Sequence, residues 1–99
     1  MNMKIHSVHF DADQKLINFI ESKLKKLNQF EEKIIGAEVF LRLEKNQNSE
    51  NKISEIRLNI SKNELFAKKQ CKTFEEATDQ SIEALRRQLI KKKGKKIER

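Results

Sequence analysis

The sequence predicts an α+β two-layer sandwich, a four-stranded mixed sheet with both helices packed on one face, in the order β-α-β-β-β-α. Three observations predict it. Two segments repeat apolar residues at the 3.6-residue period of a helix, and the segments around them read as strands, several with alternating sides. A strand–helix–strand start implies a right-handed crossover, so the first two strands lie parallel, and the next two follow as an antiparallel meander. With 99 residues and 11.7 kDa the chain has room for one domain.

Residues 3–10 read as the first strand. Asp11-Ala12-Asp13-Gln14 supplies helix-start chemistry: either Asp can cap, and Asp11 with Gln14 has capping-box spacing. Leu16, Ile17, Ile20, Leu24 and Leu27 then share one face of a helix that runs to about Gln29. Over 37–44, Val39, Leu41 and Leu43 alternate with Glu38, Phe40 and Arg42, the pattern of a strand with one buried side. Residues 46–51 form a polar loop. Over 53–60, Ile56, Leu58 and Ile60 stand opposite Glu55, Arg57 and Asn59. Ser61-Lys62-Asn63-Glu64 reads as a hairpin turn, with Asn tolerant of the positive φ such a turn needs. The fourth strand, 65–71, turns Leu65, Ala67 and Cys71 inward and is the least apolar, as suits an edge. Thr73-Phe74-Glu75-Glu76 is a second capping box, and the helix after it has Phe74, Thr78, Ile82, Leu85 and Leu89 on one stripe.

Charge is distributed unevenly. Residues 1–85 hold 14 basic and 14 acidic side chains, which cancel, so the net +7 lies wholly in residues 86–99. Such a block repels itself and favours an anionic partner. Continued at helical spacing, the buried stripe of the last helix passes from Leu85 and Leu89 to Lys92 and Lys96, where it has nothing apolar to pack. Arg87, Lys91 and Lys95 form one ridge at four-residue spacing, with Arg86 and Lys93 in the neighbouring row. A projecting arm with cations nearly all round suits phosphate backbones; it lacks the apolar face of a membrane-lying helix. On the first helix Lys15 and Lys26 face away from the apolar stripe, and Lys23 flanks it. With both helices on the same sheet face, their outward lysines are expected to join the ridge in one basic surface.

Other chemistries have little support. No run of apolar residues is long enough to span a membrane, and the start of the chain has no apolar signal core. The single cysteine, Cys71, makes no internal disulfide or cysteine-based zinc site, which fits a reducing, cytoplasmic setting. Its neighbours Lys69 and Lys72 would lower the thiol's pKa, whereas its inward position reads as a small hydrophobe. His6 and His9, three apart in a strand, point to opposite faces and cannot chelate one metal together. With two glycines, Gly36 and Gly94, no phosphate-cradling loop can be built. No acid, base or nucleophile stands with a partner, so neither an enzyme nor a cofactor or small-molecule substrate is expected. The six phenylalanines mostly follow the core pattern, and no aromatic stacking platform is expected on the sheet. What remains is binding by charge and shape, which suits structured RNA.

These residues resemble a known family. Leu85-Arg86-Arg87-Gln88-Leu89-Ile90-Lys91-Lys92-Lys93-Gly94-Lys95 resembles the L-x-R-Q-L-x-K-x-K-x-K ending of the ribosome hibernation promoting factor family, also called ribosome-associated inhibitor A or sigma-54 modulation protein. Lys23-Leu24-Lys25-Lys26-Leu27 resembles its first-helix K-x-x-K-L, and Leu65, Ala67 and Asp79 also stand at expected positions. The resemblance covers essentially the whole chain and has the same element order. Glu75 departs from a frequent aromatic, Thr73 from a frequent Asp and Ala84 from a frequent Lys. The family's long forms continue into a second, ribosome-dimerising domain, so this chain looks like a short form.

The resemblance implies binding to the small (30S) ribosomal subunit in the mRNA/tRNA channel, on 16S rRNA, with translation blocked and idle ribosomes preserved during starvation and stationary phase. By motif it assigns rRNA contacts to Lys23, Lys26, Arg87, Lys91, Lys93 and Lys95; Arg86 and Lys92 join them on charge and position. Residues 1–93 then form the ribosome-binding domain and 94–99 a basic C-terminal tail whose order the sequence leaves open. The free protein is expected to be a monomer. Two other readings stay open. One is a general double-stranded RNA-binding module, since the α-β-β-β-α part has that class's element order. The other is a regulator that docks on a protein.

Overall fold

The computed structural model describes residues 1–8, 10–30, 33–44 and 49–97, with side chains through Lys91. The elements are β1 (Asn2–Val8), α1 (Gln14–Phe30), β2 (Ile34–Leu43), β3 (Lys52–Ile60), β4 (Asn63–Cys71) and α2 (Phe74–Ile97). The sheet order is β1-β2-β3-β4, with β1 parallel to β2 and the two remaining pairs antiparallel. This is the predicted α+β sandwich, crossover and meander included.

One face of the sheet meets both helices. Leu16, Ile20, Leu24 and Leu27 of α1 and Leu85 and Leu89 of α2 close on Val39, Leu41, Ile56 and Leu58, each less than a tenth exposed. Burial at this depth is worth about 1.5–3 kcal/mol per large side chain, which holds the helices to the sheet. Leu43, expected inward, is 43% exposed. It pairs with Lys52 at the end of the sheet, outside the cluster that the helices cover. Ser54 occupies an inward position of β3 with no exposure, and α2 satisfies it. Thr78 Oγ1 donates to Ser54 Oγ at 3.3 Å, and Ser81 Oγ donates to the Ser54 carbonyl at 3.2 Å. A buried hydroxyl seam thus runs between β3 and α2 with every partner met.

The helix starts are set by side chains. Asp13 caps α1: its Oδ1 accepts from Leu16 N at 2.8 Å and its carbonyl from Ile17 N at 3.1 Å. Of the two candidate aspartates Asp13 is therefore the cap, and the Gln14 amide donates to Asn18 Oδ1 at 2.9 Å. Thr73 Oγ1 accepts from Glu76 N at 3.0 Å and caps α2. Replacing Thr73 with Ala is expected to cost about 1 kcal/mol and with Ser little. Thermal unfolding followed by circular dichroism should show the Ala variant melting about 4–8 °C lower.

The β3–β4 hairpin closes through Ser61 and Lys62, and Ile60 pairs with Asn63. The positive φ (67°) falls on Lys62, one residue before the expected Asn63. Asn63 is already in the strand ladder, where its Oδ1 accepts from Glu64 N at 2.8 Å. At the same end of the sheet, across β2, Gly36 pairs with Asn2, and a Cβ there would lie 3.2 Å from the Asn2 carbonyl. A side chain would wedge the start of the parallel pair.

Among the described residues the core stripe of α2 ends at Leu89, yet the helix continues across Gly94 to Ile97. At 1.5 Å per residue the extension is about 12 Å. Among the described residues no helix is long and apolar enough to cross a membrane.

Candidate nucleic-acid interface

The cations reach the surface on two flanks of α2. One flank faces α1. There Lys23 Nζ lies 3.1 Å from Asp79 Oδ1 and 5.4 Å from the centre of the Phe19 ring. Two turns along, the Arg86 guanidinium lies over Phe30 at 5.4 Å. A groove of about 270 Å³ runs between the helices, with Lys23, Lys26, Asp79, Glu83 and Arg86 on its walls and Leu27 and Ile82 at its base. The helices bring together three of the expected site residues here: Lys23, Lys26 and Arg86.

The other flank faces β4. Gln88 Nε2 donates to the Phe66 carbonyl at 3.0 Å, which fixes that side of the helix against the sheet edge. Arg87 and Lys91 stand about 100° and 60° round the helix from Gln88, on the solvent side of α2, both exposed. Arg87 Nε stands 3.8 Å from Glu83 Oε1, a solvated pair worth a few tenths of a kcal/mol. Successive residues turn about 100° round a helix, so Arg86 and Arg87 present to different partners. Lys92, Lys93 and Lys95 lie on the helical backbone, and their side chains fall outside the described set.

Partners differ along this surface. Lys23 is neutralised by Asp79, and Arg87 by Glu83 in part, whereas Lys26 and Lys91 have no carboxylate within salt-bridge distance among the described residues. Sequence reasoning identified the cations and missed Asp79 as a counter-charge, but it does set Glu83 four residues before Arg87 to steady the ridge, as the structure shows. The i, i+4 spacing of Glu83 and Arg87 carried the second signal; the first needs the docking of α1 on α2.

Elsewhere the chemistry is structural. Burial foremost, then a hydrogen bond to Glu76 and the charges of Glu76 and Glu50, push the Cys71 thiol above its ordinary range, and Lys69 offsets only part of this. The expected lowering by neighbouring lysines is thus reversed, because the acids and desolvation outweigh them. Among the described residues no group of three or more His, Cys, Asp and Glu could hold a metal. His6 stacks on Phe40 at 4.8 Å with Nε2 2.9 Å from Glu38 Oε2; His9 lies outside the described residues. The expectation of a sheet without aromatic chemistry needs correction: Phe40 and Phe66 both lie on the face away from the helices, and Phe66 is 45% exposed. Strand parity carried that signal, since Phe66 alternates with inward Leu65 and Ala67.

A family model described as sigma 54 modulation protein / S30EA ribosomal protein matches residues 3–97. The chain belongs to this family. Membership makes it a ribosome-associated protein of a translation-regulating kind. Its fold is similar to that of a ribosomal subunit interface protein from Coxiella burnetii, with TM-score 0.83 and 18% identity over 95% of this chain and 99% of the other. It is also similar to the N-terminal domain of Thermus thermophilus Protein Y, with TM-score 0.76 and 19% identity over 89% of this chain and 94% of that one. At such identities these likenesses speak for the fold. No curated protein is a significant match in sequence.

Proposed function

We propose that this family member binds the small ribosomal subunit on 16S rRNA, in the channel that mRNA and tRNA use, and so blocks translation and preserves idle ribosomes. The observation that carries the proposal is α2: a helix that outruns its core stripe while the chain's whole excess charge lies from Arg86 onward. Lys23, Lys26 and Arg86 supply phosphate contacts from the inter-helix groove. Arg87, Lys91 and the continuing Lys92, Lys93 and Lys95 supply them along the extension. Residues 1–93 act as the binding domain and 94–99 as its basic extension, in a protein that is monomeric when free and works in the cytoplasm. Phosphate contacts position the protein and carry little base readout.

Sedimentation with ribosomes through sucrose gradients at low and moderate salt tests this. Comigration with 30S and 70S particles that weakens as salt rises is expected, because released counterions set the affinity. Protein left at the top of the gradient at low salt would overturn the reading. Competition with excess duplex RNA separates it from a general duplex-binding module, which would be titrated off the ribosome.

Asp79 restrains the groove. Asp79→Asn frees Lys23 and removes one negative charge from a surface facing phosphate. Affinity for 30S subunits should rise about two- to fivefold, while stability changes by less than about 1 kcal/mol because the pair is half exposed. Filter binding and thermal melts on the same variant check both.

A further inference from the structure

The face of the sheet opposite the helices is organised around Phe40. His6 stacks on its ring at 4.8 Å, and the guanidinium carbons of Arg42 and Arg57 lie 6.0 and 5.8 Å from its centre. Of the acids on this face, Glu55 sits low and is paired, Glu38 is partly exposed beside His6, and Glu64, two residues before Phe66, is exposed. Glu55 Oε1 takes Arg42 at 3.0 Å and Lys68 at 3.9 Å, and its side chain is 9% exposed against 47% and 52% for the two cations. Around Glu55 the surface therefore presents two positive heads over a buried carboxylate. Arg57 has no carboxylate within salt-bridge distance among the described residues. Directly across the ladder from Arg57 stands Phe66, 45% exposed on the edge strand.

This face is continuous with the outer flank of α2. Gln88, between Arg87 and Lys91 in sequence, bonds to the backbone of Phe66 itself. A strand of RNA that follows Arg87 and Lys91 would round the β4 edge and meet a bare aromatic ring beside an unpaired guanidinium. Aromatic rings stack on any unpaired base, and arginine adds a stacking plane and a phosphate partner.

We propose that the open sheet face is a second RNA contact, in which Phe66 stacks an unpaired RNA base and Arg57 and Lys68 hold the flanking phosphates. Beside Phe66 the exposed cations Arg57 and Lys68 outnumber the one exposed acid, Glu64, which favours RNA over a basic protein partner at this spot. The contact extends the ribosome-binding reading but rests on different residues, so the two can fail separately.

Single-stranded RNA of about 12 nucleotides carrying 2-aminopurine tests it, with the full-length protein. Stacking on Phe66 is expected to quench the base analogue on binding. Phe66→Ala should abolish the quench and weaken binding about tenfold, Phe66→Tyr should restore both, and Arg57→Ser should weaken binding with the quench kept at saturation. Phe66 and Arg57 are exposed, so melting temperatures should hold and folding is not confounded. Arg87→Glu with Lys91→Glu tests the helix flank alone: lost 30S binding with a surviving Phe66-dependent quench supports the sheet contact independently. Absence of quenching at saturating RNA, or a quench indifferent to Phe66→Ala, overturns it. Benzoylphenylalanine in place of Phe66, photolysed on 30S subunits with bound mRNA, identifies the source. An adduct on rRNA or on mRNA supports the contact, whereas adducts confined to ribosomal protein overturn it.

Discussion

Reversing Arg87, Lys91 and Lys95 to Glu is expected to remove binding to the small subunit at physiological salt. Each phosphate contact contributes a slope of about −0.7 to −0.9 in log K against log salt. Three lost contacts then lower affinity on the order of 10²-fold at 0.1 M salt and flatten the slope by about two to three units. Introduced carboxylates beside phosphate deepen the loss. Folding should survive, because Arg87 is 77% exposed in its side chain and its Glu83 pair is solvated. The comparison that gives the result meaning is Lys23→Glu with Lys26→Glu, on the α1 side. The two sets lie on flanks about 100° apart or more round α2, so unequal losses reveal which flank faces rRNA. If the triple variant sediments with 30S particles as the unaltered protein does, the ridge carries no binding and the proposed mechanism is wrong.

The sequence made the layers legible because they depend on periodicity, and periodicity is local. Leu16, Ile20, Leu24 and Leu27 mark α1, and Val39, Leu41, Ile56 and Leu58 mark the inner sheet, all within the buried cluster. Thr73 was legible as a cap for the same reason, since its partner Glu76 is three residues away. Readings that failed depended on contacts between distant segments. Leu43 has the right parity but lies past the helices' reach. The burial of Ser54 has no signal in its own strand, because it rests on Thr78 and Ser81 of another element. Either Asp11 or Asp13 could cap by sequence, Asp11 having the capping-box spacing to Gln14, and the backbone geometry ahead of α1 chose Asp13. At the candidate interface the cations were legible by count and spacing. Lys23's engagement with Asp79 was not, because it requires the packing angle of α1 on α2. Glu55 shows the same limit on the other face: an alternating polar residue in sequence, it becomes a nearly buried carboxylate when β2 and β4 bring Arg42 and Lys68 over it.

Leu85→Ala should be the most destabilising single truncation in the helix that carries the function. Leu85 is fully buried, in one cluster with Leu58, Ala67 and Leu89. Removing its three outer carbons loses their transfer energy and leaves a cavity that a sheet on one side and a helix on the other cannot fill. A loss of about 2–5 kcal/mol is expected. At about 4–8 °C per kcal/mol for a domain of this size, the melting temperature falls by about 10–30 °C. Total stability of such a domain is about 5–15 kcal/mol, so the loss removes a large share of it and the variant unfolds at a lower temperature. The position adds a second consequence. Leu85 and Leu89 are the last described core anchors before the extension, so weakening one loosens the platform from which Arg87 and Lys91 project. Binding to 30S subunits should therefore be close to normal at 10 °C and vanish on warming in step with unfolding, since Leu85 itself meets no RNA. Ile82→Ala, at a half-buried position on the groove, should cost less stability. Urea titrations of both variants give the stabilities, and gradient sedimentation at two temperatures gives the binding. A Leu85→Ala protein that loses less than about 1 kcal/mol contradicts the packing described here. One that is fully folded at 10 °C yet fails to bind shows that the pose of α2, and not only its charge, is read by the ribosome.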